Sequence, residues 1–254
     1  MKKQTIITAA AVILASLTTS TALAQADALT VKKEKASKTL RKAAENKGRL
    51  TEKAPESVRK AVESMKKATK AAIDKPAPDF TLIDLDGKKH TLSDYTAAGN
   101  IVVLEWFNPD CPYVQEHYKP EAKGTSTVVE KEFKGKKVVW LRINSGSEKS
   151  GTSGKDRNTK AAKEWSITSP ILLDADGAVG RKYGAKVTPT LFIINENGVI
   201  AYTGAMDSKK SPSKTGETIY PRDALTSVLA HETVAKKTTH AVGCSIKYAA
   251  RKAD

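Results

Sequence analysis

The stretch at residues 101–114 constrains the fold of this chain more than any other, and it reads I-V-V-L-E-W-F-N-P-D-C-P-Y-V. Its first seven residues form an almost continuous apolar run, which is typical of a strand buried on both faces. The Asn-Pro-Asp cluster at 108–110 predicts a turn. Pro112 suits the first turn of a helix, where no backbone N–H is missed. Cys111 is therefore predicted to lie between a buried strand and a helix.

This placement leaves two interpretations of Cys111. At a helix N-terminus, unpaired N–H groups and the helix dipole stabilise a thiolate. Such placements lower the pKa of a cysteine from ~8.5 to between ~3.5 and ~7.5. On this interpretation Cys111 is a nucleophile. The alternative is a small apolar core residue that happens to be a cysteine.

The N-terminal residues predict export. Two lysines at positions 2 and 3 precede an apolar run over residues 6–17, and a small-x-small pattern ends at Ala24. This is the pattern of a secretory signal peptide over residues 1–24, with cleavage after Ala26 as the alternative. The apolar run is too short to span a bilayer comfortably, and no other run approaches that length. We therefore expect no transmembrane segment and an exported protein, which is periplasmic if the source has two membranes.

The positive charge is concentrated in one segment. The chain has a formal net charge of +15, and residues 27–75 hold 15 Lys/Arg against 7 Asp/Glu. That segment has no aromatic side chain on which a base could stack, so the charge does not favour nucleic-acid binding. A solvated lysine-rich helix is the preferred interpretation, and contact with an acidic surface is the alternative.

Composition and periodicity divide the remaining chain into three parts. Residues 25–75 are predicted to be basic and helical or partly disordered, with a helix over about 55–73 that docks on the following domain. Residues 76–235 are predicted to form the main domain. Residues 236–254 form a basic tail that contains Cys244.

The main domain alternates between predicted strands and helices. A hairpin with an Asp-Gly turn is predicted over 80–92. Further strands are predicted at 101–107, 138–143, 171–173, 190–194 and 199–203, and helices at 159–165, 178–183 and 222–230. This order predicts an α/β domain with a mixed sheet and helices on both faces.

Four sequence motifs in this domain resemble those of the thioredoxin superfamily, and in particular exported redoxins of the AhpC/TSA type and thioredoxin-like proteins. They are A-P-D-F-T-L at 77–82, N-P-D-C-P-Y-V at 108–114, L-D-A-D-G-A-V-G-R-K-Y-G-A at 173–185 and V-T-P-T at 187–190. The resemblance covers residues 76–235 and implies a thioredoxin-like fold. The C-terminal G-C-S-I-K-Y at 243–248 also resembles the tail of one redoxin-like subgroup.

The resemblance implies roles for four residues around the turn motifs. Cys111 matches the attacking cysteine, and Pro189 matches a proline that is cis in the superfamily and lies beside the active-site sulfur. The resemblance then implies that the backbone of Thr188 contacts a substrate chain. It also implies a substrate contact for Pro112. A cis X–Pro bond is uncommon in proteins, so this expectation is specific.

Glu105 lies where thioredoxins place a buried acid that relays a proton to the resolving thiol. An ionised and unpaired acid inside this apolar run is costly, so we expect its pKa to rise. The alternative is a purely structural side chain that reaches solvent or pairs with a nearby lysine.

Three positions depart from the resemblance. Val114 stands where thioredoxins have the second cysteine of C-x-x-C, so no local disulfide can form. Leu104 and Asn108 stand where typical peroxiredoxins have a proline and a Thr or Ser, so the hydroxyl that activates peroxide is missing. The chain therefore lacks a residue needed for the usual thioredoxin mechanism and one needed for the usual peroxiredoxin mechanism.

The leading functional hypothesis is a thiol-based oxidoreductase that needs no cofactor. Cys111 attacks a protein disulfide or a peroxide, and Cys244, on a flexible tail, resolves the product. The partner is then a thiol/disulfide redox protein or a peroxide. Two other roles for Cys244 remain open. One is a permanent staple to Cys111, worth ~4–5 kcal/mol by chain entropy; the other is a free or metal-bound thiol.

Two other classes of function remain as alternatives. Cys111 and His117 are candidates for part of a copper or zinc site in an exported chaperone, but their spacing does not suit one helical face. His90, His231 and His240 show no ligand spacing either, so no metal ligand is predicted. The last alternative is a redox-inert thioredoxin-fold binding module that displays its basic N-terminal helix.

Overall fold

A computed structural model of the chain describes residues 54–119, 125–147, 151, 154–209 and 216–250. The predicted signal peptide and most of the basic segment lie outside these residues. The described residues from Pro55 onward form one compact unit. Within the described ranges, no helix is both long enough and apolar enough to cross a membrane.

The described residues alternate between strands and helices. The strands are β1 (Thr81–Asp84), β2 (Lys89–Thr91), β3 (Ile101–Trp106), β4 (Val138–Asn144), β5 (Ile171–Leu173), β6 (Val187–Thr188), β7 (Thr190–Ile194), β8 (Ile200–Gly204) and β9 (Cys244–Ser245). The helices are α1 (Glu56–Lys67), α2 (Leu92–Ala97), α3 (Pro112–Gln115), α4 (Thr125–Glu132), α5 (Lys155–Glu164), α6 (Ala178–Tyr183) and α7 (Tyr220–Leu229).

Seven strands form one mixed sheet in the order β2-β1-β5-β4-β3-β7-β8, and β6 and β9 form a separate pair. In the large sheet, β3 is parallel to β4 and antiparallel to β7. The predicted α/β fold with a mixed sheet is confirmed.

Strand β3 is buried on both faces because separate apolar clusters cover them. Leu104 and Trp106 pack into one cluster, which also holds Phe192, whereas Ile101 and Val103 pack into the other. All six residues of β3 are buried. The continuous apolar run therefore predicted its environment correctly.

Helix α1 docks on the domain, as predicted, but it ends at Lys67 and not near residue 73. Ala68 is already extended, and Ala71 donates its backbone N–H to the Lys182 carbonyl oxygen at 3.1 Å. Docking depends on Met65, which is fully buried. The apolar periodicity continued past Lys67 because those later residues also pack on the domain.

The C-terminal tail was wrongly predicted to be flexible. We define the tail as residues 236–250. Its backbone bonds to the edge of β8, where the Thr203 N–H donates to the Lys237 carbonyl and the Thr239 N–H donates to the Thr203 carbonyl. The tail then continues into β9, which pairs with β6. Backbone hydrogen bonds, which no sequence pattern indicated, hold the tail in place.

Candidate active site

Cys111 lies where the sequence predicted, between β3 and a helix. The turn before it is held by Asn108, whose side-chain oxygen accepts the Asp110 N–H at 2.9 Å. The Asn108 carbonyl accepts the Cys111 N–H at 3.1 Å. Pro112 then begins α3, which is a single turn. A helix this short supplies only a small dipole.

Cys111 is buried, and its sulfur lies beside a cis proline. The Thr188–Pro189 peptide bond is cis, as the resemblance implied. The Cys111 thiol donates to the Thr188 carbonyl oxygen at 3.1 Å, and only 1% of the Cys111 surface is exposed. Strand β6 therefore ends with a backbone carbonyl in contact with the candidate nucleophile.

The tail brings Cys244 to the same place. In the β6–β9 pair Cys244 lies directly opposite Thr188, and directly opposed residues in such a pair have neighbouring side chains. Cys244 also packs against the apolar cluster that contains Cys111. Both cysteines are free thiols, Cys111 buried and Cys244 half-buried. Two residues 133 positions apart in sequence thus meet at one site.

Burial raises the pKa of Cys244 to about 12, and its hydrogen bond to Cys111 and the charge of Cys111 add to this rise. A backbone hydrogen bond at Tyr113 and the charge of Lys247 oppose it. Cys244 therefore keeps its proton at neutral pH. Cys244 is therefore a poor attacking group in the reduced protein.

Glu105 is fully buried and accepts three hydrogen bonds. They come from the Tyr118 hydroxyl at 2.7 Å, the Trp140 indole N–H at 2.8 Å and the Ser126 hydroxyl at 3.2 Å. The Arg142 guanidinium lies 3.8 Å from the carboxylate. Burial raises the pKa of Glu105, and these four groups oppose the rise. Glu105 is thus paired with an arginine and not with a lysine, and its role as a proton relay stays a prediction.

Arg142 and Tyr118 are two site residues that the sequence analysis missed. Arg142 faces Glu105 in the parallel β3–β4 register and is also fully buried. Its guanidinium donates to the Tyr118 hydroxyl at 2.6 Å and to Glu130 at 2.7 Å. An arginine inside the apolar run of β4 was the available signal, because a buried cation needs an acidic partner.

A second arginine holds the turn before the candidate nucleophile. Arg157, at the start of α5, donates to the Asp110 carboxylate at 2.7 Å and to the Pro109 carbonyl at 3.1 Å. It thereby connects α5 to the residue that precedes Cys111. No sequence pattern indicated this contact.

The other candidate ligand, His117, is buried, and its Nδ1 has no hydrogen-bond partner among the described residues. Burial lowers the pKa of His117 to about 4, and Asp207 opposes the shift. In the described part of the chain, no three His, Cys, Asp or Glu side chains are grouped so that they could hold a metal ion.

The mixed sheet, the cysteine at the β3–α3 turn and the cis proline beside it define a member of the thioredoxin superfamily. Residues 73–203 match the model of the AhpC/TSA family, which is more than half of the chain. The chain therefore belongs to the AhpC/TSA family. Its class is that of the thiol-dependent oxidoreductases.

Two similar proteins are named as a thiol-disulfide oxidoreductase and a thioredoxin-like protein. The chain is 31% identical over 160 residues to the thiol-disulfide oxidoreductase ResA of Geobacillus thermodenitrificans, covering 60% of this chain and 81% of that relative. It is 30% identical over 141 residues to the thioredoxin-like protein YneN of Bacillus subtilis, covering 54% of this chain and 75% of that relative.

Among solved structures, an uncharacterised conserved protein from Geobacillus kaustophilus has a TM-score of 0.60 at 25% identity, covering 71% of this chain and 94% of its own. A hypothetical protein from Sinorhizobium meliloti has a TM-score of 0.63 at 24% identity, covering 71% of this chain and 97% of its own. The likeness to this second structure shows that the two chains share a fold.

Proposed function

We propose that this chain is an exported thiol–disulfide oxidoreductase that uses Cys111 and Cys244 as its redox pair. The observation that carries the proposal is that Cys244 lies opposite Thr188, whose carbonyl accepts the Cys111 thiol beside the cis Pro189. Cys244 thus supplies a second thiol at the site, although Val114 removes the usual local partner.

In the proposed cycle Cys111 is the nucleophile and Cys244 is the resolving thiol. The raised pKa of Cys244 keeps its proton in place in the reduced protein, and Cys111, which lies beside the cis Pro189, is assigned as the attacking group. Attack on a disulfide breaks its S–S bond, releases one sulfur as a thiolate and leaves the other in a mixed disulfide with Cys111. The Cys244 sulfur then attacks the Cys111 sulfur, and the substrate leaves as a thiol.

Protein or peptide disulfides are the proposed substrates, and peroxide is the second candidate. The similarity to relatives named thiol-disulfide oxidoreductase supports disulfides. Membership of the AhpC/TSA family supports peroxide. Asn108 occupies the position of the peroxidase hydroxyl, which favours the disulfide.

Mapping of disulfide-linked peptides tests the redox pair. The protein is reduced, treated with one equivalent of hydrogen peroxide or oxidised dithiothreitol, and digested without reductant. A Cys111–Cys244 bridge that forms on oxidation and disappears with dithiothreitol supports the pair. A bridge that persists in the natively folded protein under dithiothreitol identifies a structural staple and contradicts the cycle. The Cys111→Ser variant is the control, and its remaining thiol should not consume oxidant above the rate of a free thiol.

Export is supported by the pattern of residues 1–24, which combine a charged start, a short apolar run and a small-residue cleavage motif. Expression of the full chain followed by N-terminal sequencing of the mature protein tests this. Cleavage after Ala24 or Ala26 supports export. An intact N-terminus in the cytoplasmic fraction contradicts it.

A further inference from the structure

The tail occupies the free backbone edge of β6. Val187 pairs with Ser245 and Thr188 with Cys244, in antiparallel register. The Ile246 N–H donates to the Lys186 carbonyl oxygen at 3.0 Å. An extended polypeptide that pairs with β6 would use these same backbone groups, so it cannot bind while the tail is in place.

Gly243 permits the closest approach between the tail and the site. A Cβ atom at this position would overlap the carbonyl oxygen of Thr188, the same oxygen that accepts the Cys111 thiol. The overlap is with backbone, which cannot rotate away. Any residue other than glycine therefore forces the tail away from β6.

Tyr248 anchors the far end of the tail. Its hydroxyl donates to the Ala185 carbonyl at 2.7 Å, and the Arg181 guanidinium lies 4.7 Å from the centre of its ring. The ring lies against Gly177 and Gly180, where side chains would leave no room for it. Four residues in and next to α6 thus form a socket for one aromatic residue.

Contacts at both ends of the tail hold Cys244 over the nucleophile. Thr239 is bonded to β8, and its hydroxyl accepts the Ala205 N–H at 2.8 Å. Beyond β9, the Ser147 N–H donates to the Lys247 carbonyl at 2.7 Å. With both ends fixed, Cys111 is left 1% exposed.

We propose that the tail acts as an internal occupant of the peptide-pairing edge, so that small disulfides and peroxides reach Cys111 through a local opening of the tail, whereas an extended polypeptide disulfide is accepted only after the tail has left β6. The inference rests on the proposed function of Cys111, and it assigns the substrate class by size. A polypeptide that reacts only with the open state does so at a rate proportional to the open fraction.

Two mixed disulfides of thionitrobenzoate test the inference, one on free cysteine and one on a short extended peptide. In both, the Cys111 thiolate attacks the cysteine sulfur, the bond to thionitrobenzoate breaks, and that coloured group leaves with the electron pair. The Cys244 sulfur then attacks Cys111 and releases the cysteine or peptide as a thiol. The chemistry is the same, and only the size of the substrate differs.

The measured quantity is the ratio of the two rates of colour release, peptide over free cysteine. We expect Gly243→Ala and Tyr248→Ala each to raise this ratio by about tenfold or more, because each increases the open fraction. Gly154→Ala is the matched control, since a Cβ there meets nothing within 4 Å. It should keep the wild-type ratio.

Hydrogen exchange of the wild-type protein supplies a second measurement. The amides of Ile246 and Ser147 should be protected, and both variants should lose that protection. An unchanged ratio in variants that have lost protection overturns the inference, as does rapid exchange of both amides in the wild type. Release of colour at undiminished rates by Cys111→Ser would instead contradict the proposed function itself.

Discussion

At the scale of single residues, Glu105, which lies six positions before Cys111, belongs to a buried ion pair. Glu105 on β3 and Arg142 on β4 are both fully buried, and Glu130 adds a second carboxylate to the arginine. Breaking a buried pair leaves a charge with too few partners, which costs more than losing a surface pair. The pair is therefore expected to matter for stability whether or not Glu105 relays a proton.

Replacing Glu105 by glutamine tests this pair. An amide cannot accept from all the donors that face Glu105, so Glu105→Gln should lower the free energy of unfolding by about 3 kcal/mol. Urea denaturation of the reduced protein measures the change. Glu130→Gln is the control, since Glu130 is partly exposed and its loss should cost about 1 kcal/mol. Equal losses of unfolding free energy in the two variants would contradict the assignment of Glu105 and Arg142 as a buried ion pair.

The raised pKa of Cys244 predicts how disulfide closure depends on pH. Below a pKa of about 12, each unit of pH increases the thiolate fraction of Cys244 about tenfold. After Cys111 has been oxidised by one equivalent of peroxide, closure should therefore accelerate steadily from pH 7 to pH 9. Burial, the largest cause of the shift, persists in that state, although the Cys111 charge does not.

Stopped-flow fluorescence follows this closure, because Trp165 lies in the same apolar cluster as Cys111. A rate that does not change between pH 7 and pH 9 would show that Cys244 is not the attacking sulfur in that step. The Cys244→Ser variant should show no closure phase at any pH. If Glu105 relays the proton, Glu105→Gln should alter the pH profile as well as the stability.

At the scale of elements, α1 belongs to the folded domain. Met65 accepts a hydrogen bond from the Thr96 hydroxyl at its sulfur, at 3.4 Å, and its carbonyl accepts the Asp79 N–H at 3.0 Å. A side chain at Gly198 would overlap Met65. The helix is thus fitted to the turn between β7 and β8.

Truncation of Met65 measures the docking of α1. Met65→Ala removes a fully buried side chain, so the free energy of unfolding should fall by about 2–4 kcal/mol. Lys66→Ala, at an exposed position of the same helix, should change it by less than about 0.5 kcal/mol. Thermal or urea unfolding compares the two variants. If both variants change the free energy of unfolding by a similar, small amount, α1 is not an integral part of the domain.

Helices and strands that have a clear short-range sequence pattern were predicted well. The apolar run of β3, strand β5 and helix α6 lie at the predicted positions because their patterns depend on short-range periodicity and turn residues. The end of α1 was missed because tertiary contacts stop the helix while the apolar pattern continues. Strand β9 has two residues, too few to leave any periodic signal.

At the scale of the whole molecule, a Cys111–Cys244 bond would connect the β3–α3 turn to the tail across 133 positions. In the chain-entropy model a loop of this length adds about 4–5 kcal/mol. The oxidised protein should therefore unfold at a clearly higher urea concentration than the reduced protein. The Cys244→Ser variant should unfold at the same concentration with and without dithiothreitol. A gain below about 1 kcal/mol would indicate a strained bond.

The sequence alone determined the α/β class, the buried strand before Cys111 and the motifs of the thioredoxin superfamily. These properties follow from local patterns, in which apolar periodicity, turn residues and short motifs act over a few positions. The cis geometry at Pro189 was implied by the resemblance and is present.

Only the tertiary structure decided what surrounds the nucleophile. The arginine partner of Glu105 comes from a neighbouring strand, and the position of Cys244 depends on backbone hydrogen bonds along β6 and on the socket of Tyr248. Backbone groups are the same in every residue, so a sequence does not reveal which edge a tail will pair with. The tail, predicted to be a flexible source of a second thiol, is docked on β6 beside Cys111.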